Sequence, residues 1–154
     1  MKKYSFKYDF SEGCHPKILE ALSRSNLNQQ LGYGNDDFSM EARNLIREKI
    51  KQKDAAIYFV SGGTQANLIV ISASLKPYQA VISAQTGHIA KHETGAIEAT
   101  GHKVEQIIGV NGKISAKQIE EVLQNFMPPH TVKPKMVYLT QATELGTIYS
   151  KKEL

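Results

Sequence analysis

The feature that most constrains this chain is the regular alternation of short apolar runs of strand character with segments of helical period. Ala55–Val60, Ala80–Ser83, Lys103–Ile107 and Met136–Thr140 read as strands. Between them lie a helix from about Gln65 to Leu75, a helix from about Ile89 to Thr100, and a helix running through Phe126. Strands joined by helices demand crossover connections, and crossovers are right-handed and build parallel sheets. The expected fold class is therefore α/β, a mostly parallel sheet with helices on both faces. With 154 residues, one core-bearing domain is affordable and two are not.

The punctuation supports the same reading. His15-Pro16 opens a first helix, because proline fits the position whose N–H has no partner, and Ile18, Leu19 and Leu22 fall on one side of it. Asn26 to Asp37 is polar and glycine-bearing, a loop; Ser39 then caps a second helix with Ala42, Leu45, Ile46 and Ile50 at helical spacing. Ala55–Val60 is expected to be buried, and Ser61-Gly62-Gly63-Thr64 turns the chain from it into the next helix. Asn111-Gly112 signals a tight turn, and Ser115 with Gln118 matches a capping box. Ser150 and Glu153 match another, the start of a helix that the remaining residue cannot complete, so the sequence reads as stopping in mid-structure.

Charge and composition exclude more than they identify. Nineteen Lys and Arg against fifteen Asp and Glu give +4, a mild excess with no basic–aromatic pattern, so no nucleic-acid partner is expected. No apolar run approaches the roughly 20 residues of a membrane span, and the N-terminus carries no apolar signal core, so no membrane partner and a cytoplasmic location are expected. Cys14 is the single cysteine, which rules out an intrachain disulfide and fits a reducing compartment.

Three patterns carry chemistry. Small residues between a strand and a helix, Gly62-Gly63-Thr64, leave backbone N–H groups at the positive end of a helix dipole, where a phosphate fits. The loop is neither a Walker A sequence nor Gly-x-Gly-x-x-Gly. His88 follows the next strand, and in an open parallel sheet successive strand ends converge on one crevice, so its imidazole is placed to stack on a flat ring. His88 and His92 stand one helical turn apart with Glu93 beside them and His102 further on, which keeps a metal-dependent hydrolase as a reading from another class.

The ordered set of motifs is more specific than any one of them. Phe6 to Leu19 with Asp9 and Glu12-Gly13-Cys14-His15-Pro16, then Tyr33-Gly34-Asn35-Asp36, Gly63-Thr64-Gln65-Ala66-Asn67-Leu68, His88 with Glu93, and Glu144-Leu145-Gly146-Thr147 follow one another over nearly the whole chain. Taken together they resemble the N-terminal part of the low-specificity threonine aldolase and β-eliminating lyase family, enzymes that use pyridoxal 5′-phosphate (PLP) on the fold of aspartate aminotransferase. The resemblance implies that Gly62, Gly63 and Thr64 hold the cofactor phosphate, that His88 stacks on the pyridine ring, and that Glu93 supports that helix or its neighbours. It implies a second catalytic histidine at His130 near the substrate hydroxyl. Asp9, Tyr33 and Asp36 are implied substrate-side residues, the last two in a segment reaching a neighbouring subunit, although the family's small polar residue next to the aspartate is Tyr8 here.

The implied reaction is cleavage of a β-hydroxy amino acid, L-threonine or L-allo-threonine, to glycine and an aldehyde, with β-elimination as the alternative. The family's cofactor-anchoring lysine and the aspartate facing the pyridine nitrogen belong to a later part of the chain than these residues. Residues 1–38 are accordingly expected as an N-terminal arm and helix and 39–154 as the start of a PLP-binding large domain, inactive alone. Either a homo-oligomer or the remaining C-terminal half is the expected partner, because an incomplete sheet exposes an edge and an apolar face.

Overall fold

The structure is a computed structural model that describes residues 3–5, 7–8 and 11–154. The chain forms two compact units, Met1–Phe59 and Val60–Leu154. The first holds helices α1 (Pro16–Ser25) and α2 (Asp37–Ile50). Pro16 starts α1 as its sequence demands, and the ring of His15, one residue before, accepts the Lys17 N–H at 3.2 Å. Helix α2 departs from expectation by one turn. Its cap is Asp36, whose carboxylate accepts the Ser39 N–H at 2.7 Å, so Ser39 lies inside the helix. Aspartate and serine are comparable caps, and the acidic one is favoured further by the helix dipole. Neither helix buries a residue: Ile18, Leu19 and Leu22 of α1 and Leu45 and Ile50 of α2 are all exposed.

The second unit carries the α/β fold. Helix α3 (Gly63–Ser74) leads to β1 (Gln79–Ala84), a short α4 (His88–Lys91), β2 (Lys103–Ile107), α5 (Ala116–Gln124) and β3 (Lys133–Tyr138). The sheet is parallel throughout, in the order β2-β1-β3, with Ala80 opposite Lys103 and Gln79 opposite Lys133. Central β1 is buried on both faces, as parallel sheets require. Val81 faces a cluster of Ile71, Leu75, Ile89, Ile97 and Val104 from the α3 and α4 side, with Met136 and Tyr138 packed against it. Ile82 and Ala84 face the other way, onto Ile107, Ile114, Ile119 and Val122 of the α5 side. Period-two alternation along one strand thus makes both halves of the core.

Local signals hold where they are self-contained. Ser115 and Gln118 form a complete capping box on α5. Asn111 and Gly112 both take positive φ, 51° and 80°, between the bridged residues Val110 and Lys113. At Ser150 the backbone N–H donates to Glu153 at 2.7 Å. The Glu153 carboxyl is held down to about 2, first by its bond from the Lys113 ammonium and then by the Ser150 N–H.

Three expectations are corrected. Ala55–Val60 is neither buried nor a strand: it has no ladder partner among the described residues, and Tyr58, Phe59 and Val60 are exposed. An apolar run becomes a strand only beside another strand, and none of the three described ones takes it up. The helix expected over Ile89–Thr100 breaks after Lys91, because Thr94 and Gly95 adopt left-handed backbone at φ 50° and 77°, and only a single 3-10 turn, Glu98–Thr100, follows. The last strand begins at Lys133 rather than Met136, its register meeting β1 through an irregularity at Ala80/Val81. Among the described residues no helix is long and apolar enough to cross a membrane.

Candidate functional site

The site lies at the carboxyl ends of β1 and β3, where the turn into α4 and the first turns of α3 meet. Gly87 makes the approach possible. A Cβ there would collide with the Ser83 hydroxyl and stand 3.0 Å from the Ala84 carbonyl, so only glycine lets the β1–α4 turn close onto the strand. His88 follows as the first residue of α4, its side chain 45% exposed. Nδ1 of that ring lies 2.7 Å from Glu93 Oε1, and the same oxygen accepts Asn67 Nδ2 of α3 at 2.5 Å. Glu93 is 3% exposed and is drawn inward where α4 ends. Asn67 also lies within hydrogen-bonding reach of the Tyr138 hydroxyl at the end of β3. Burial is the main reason that hydroxyl is pushed up; the bond to Asn67 opposes the shift, and the Glu93 and Glu144 charges add to it.

The start of α3 is an open cradle. Among the described residues no side chain caps it, and a Cβ built on Gly62 or Gly63 would meet none of their atoms within 4 Å. Gln65 reaches back to accept both the backbone N–H and the hydroxyl of Ser61, at 2.7 and 2.8 Å, which shapes the turn and leaves exposed Thr64 at its rim. Such an end carries unsatisfied N–H groups and partial positive charge, a donor set that suits a phosphate. Thr64 and Asn67 are three residues apart on one helix face, within about one 5.4 Å turn. The cradle and the His88 network are therefore built on the same helix end.

The other residues singled out by sequence fall elsewhere. His130 is exposed, in the turn after Pro128-Pro129 that precedes β3. Because β1 and β3 are parallel, that turn lies at the opposite end of the sheet from His88, and a six-residue strand separates the ends by roughly 17–20 Å. The two histidines do not share a site, a correction that strand direction alone imposes. Tyr33 and Asp36 belong to the first unit. Tyr33 is fully exposed at φ 60°, and Asp36 is committed to capping α2, where its bonds to Ser39 and, less, the Arg43 charge hold its carboxyl below the usual range. Arg43 also ties the loop by donating to the Gly34 carbonyl. Asp9 lies outside the described residues.

The metal reading finds little to use. The His88 and His92 rings are 5.6 Å apart at 48°, and His88 spends Nδ1 on Glu93. Among the described residues no three His, Cys, Asp or Glu side chains are grouped to hold an ion. Asn67 and Tyr138 were not singled out by sequence; the only signal for Asn67 is its place one turn after Thr64, and Tyr138 is found only through strand pairing.

The parallel α/β unit places an open helix N-terminus and a carboxylate-held histidine near the carboxyl ends of its strands, where open sheets of this class take their ligands. The family behind it follows from comparison. The family model described as "Beta-eliminating lyase" matches residues 10–154, and the chain belongs to that family. It is 32% identical over 151 residues to a low specificity L-threonine aldolase of Pseudomonas sp. (strain NCIMB 10558), and 31% identical to that of Pseudomonas aeruginosa. A solved structure of Leishmania major threonine aldolase matches with a TM-score of 0.94 and 49% identity over 98% of this chain. The chain spans 43% of the length of the two curated relatives and 44% of the solved chain.

Proposed function

We propose that this chain forms the phosphate- and ring-binding part of a PLP-dependent lyase that cleaves β-hydroxy amino acids such as L-threonine or L-allo-threonine to glycine and an aldehyde. The observation that carries the reading is the union of the open α3 cradle with His88 through Asn67 and Glu93. Gly62, Gly63 and Thr64 offer the donors for the cofactor phosphate, and the partly exposed imidazole of His88 offers a flat face for its ring. When bound, the cofactor supplies an electron sink for the pair released on breaking the Cα–Cβ bond. The residues of this chain hold that group, keep its ring in one orientation, and present an imidazole nitrogen as a proton acceptor. Tyr33, displayed on a left-handed turn that the Asp36 cap and Arg43 hold in place, is a proposed substrate-side contact for the site of a neighbouring subunit.

The exposed apolar stripes of α1 and α2, together with Tyr58 and Phe59, support association with further protein, a second copy or a C-terminal portion such as the longer relatives have. β-Elimination uses the same binding residues and is the second reading, favoured by the name of the matching family model.

The cradle and the reaction are tested separately. For protein carrying these residues, PLP is expected to bind at least about 10-fold more tightly than pyridoxal, a difference of about 1.4 kcal/mol, read by visible absorbance. Equal binding of the two would remove the phosphate cradle from the account. With L-threonine, glycine and acetaldehyde are the expected products, whereas a keto acid selects β-elimination.

A further inference from the structure

We propose that Glu93 is a positioning residue that holds His88 as the Nδ1-protonated tautomer, with Asn67 as the clamp on Glu93. An ionised carboxylate only accepts hydrogen bonds, so the His88 nitrogen 2.7 Å from Glu93 Oε1 carries the hydrogen. A neutral imidazole has one N–H, and Nε2 is therefore left as an acceptor. An unrestrained neutral histidine in water favours the opposite tautomer, so the assignment is a property imposed by the fold.

The arrangement is directional. Both donors, His88 Nδ1 and Asn67 Nδ2, converge on Oε1, while Oε2 is buried with no hydrogen-bond partner among the described residues. A carboxylate taken out of water and left with one bare oxygen is an expensive way to stabilise a fold, since well-packed apolar residues serve as well or better. Its geometry is suited instead to aiming a ring. Asn67 stands on α3 one turn beyond Thr64, so the cradle helix and the α4 turn together fix the position of Glu93. With Nδ1 occupied, Nε2 of a half-exposed ring is the atom able to take a proton from a hydroxyl in the crevice, and the adjacent carboxylate then faces the imidazolium that forms. Only this last step rests on the lyase reading; the tautomer does not.

The test is long-range proton–nitrogen NMR of the histidine rings on the full chain without cofactor, at a pH where the rings are neutral. The His88 signal is assigned among the five histidines by its loss in His88→Asn. A pyrrole-like Nδ1 and a pyridine-like Nε2 are expected for the unchanged protein, and the reverse pattern overturns the proposal outright. Glu93→Gln keeps an acceptor oxygen and is expected to retain the pattern. Glu93→Ala is expected to move most of the population to Nε2–H, and an unchanged pattern there also overturns the proposal. If Glu93→Ala does not fold, the unchanged protein and Glu93→Gln still decide. Failure to bind PLP with the Nδ1–H pattern intact would count against the lyase reading and leave the Glu93 role standing.

Discussion

Ile71→Ala is expected to destabilise the second unit by about 2–5 kcal/mol, and Ile71→Val by about 0.5–1.5 kcal/mol. Ile71 is 1% exposed and is the only residue within α3 that is buried. Its side chain packs in the cluster that joins Leu75, Val81, Ile89, Ile97 and Val104, so one side chain attaches α3 to both the central strand and the α4 region. Truncation removes the buried methyl and methylene groups and leaves a cavity that a β-sheet on one side and a helix on the other can close only in part. The measurement is urea unfolding followed by amide exchange at Val81 and Ile82, which lie in the hydrogen-bonded centre of the sheet. A midpoint unchanged in Ile71→Ala would mean that α3 is held by something other than this cluster. Since the proposed cradle is the N-terminus of the same helix, the affinity for PLP is expected to fall with it.

Gly87→Ala is expected to cost about 1–3 kcal/mol by overpacking and to shift His88. The backbone there, φ −59° and ψ 147°, is acceptable to alanine, so the penalty is one of space and not of conformation. The new methyl meets the hydroxyl of Ser83, which is fully buried, and the carbonyl of Ala84 at 3.0 Å. A displacement of about 1 Å at a positioned group can reduce a catalysed rate on the order of 10²-fold, so under the proposed lyase reading a protein that carries these residues with a C-terminal portion is expected to lose activity by about that factor. Ser83→Ala removes the nearest obstacle, and the double variant Ser83→Ala with Gly87→Ala is expected to recover part of both losses. Additive penalties in that cycle would show that the Ser83 hydroxyl is not what Gly87 accommodates.

Much of the fold was legible because its determinants are short-range. The proline at the start of α1, the Asn111-Gly112 turn, the Ser115–Gln118 capping box and the crossover alternation each depend on residues a few positions apart. The readings that failed depend on distant partners. Ala55–Val60 has strand composition, but a strand exists only where another chain segment offers its backbone groups, and none of the described strands does so. The helix beyond His88 has a continuous helical pattern, yet Thr94 and Gly95 turn left-handed and Glu93 is buried against His88 and Asn67.

The proposed site divides along the same line. Gly62, Gly63 and Thr64 stand out as a small-residue turn into a helix and His88 as a residue just beyond a strand end, positions that chain order reveals. His130 was misplaced because proximity in sequence to a strand says nothing of which end of the sheet is meant; parallel pairing sends it to the opposite edge.

By itself, then, the sequence determined the alternation of elements, the caps and turns that bound them, and the family to which the ordered motifs belong, because each is written in local spacing. Only the tertiary structure decided that Asn67 and Tyr138 join Glu93 and His88, and that His130 does not. Those relations depend on strand direction, register and the packing of α3 on the sheet, which are contacts between residues far apart in the chain.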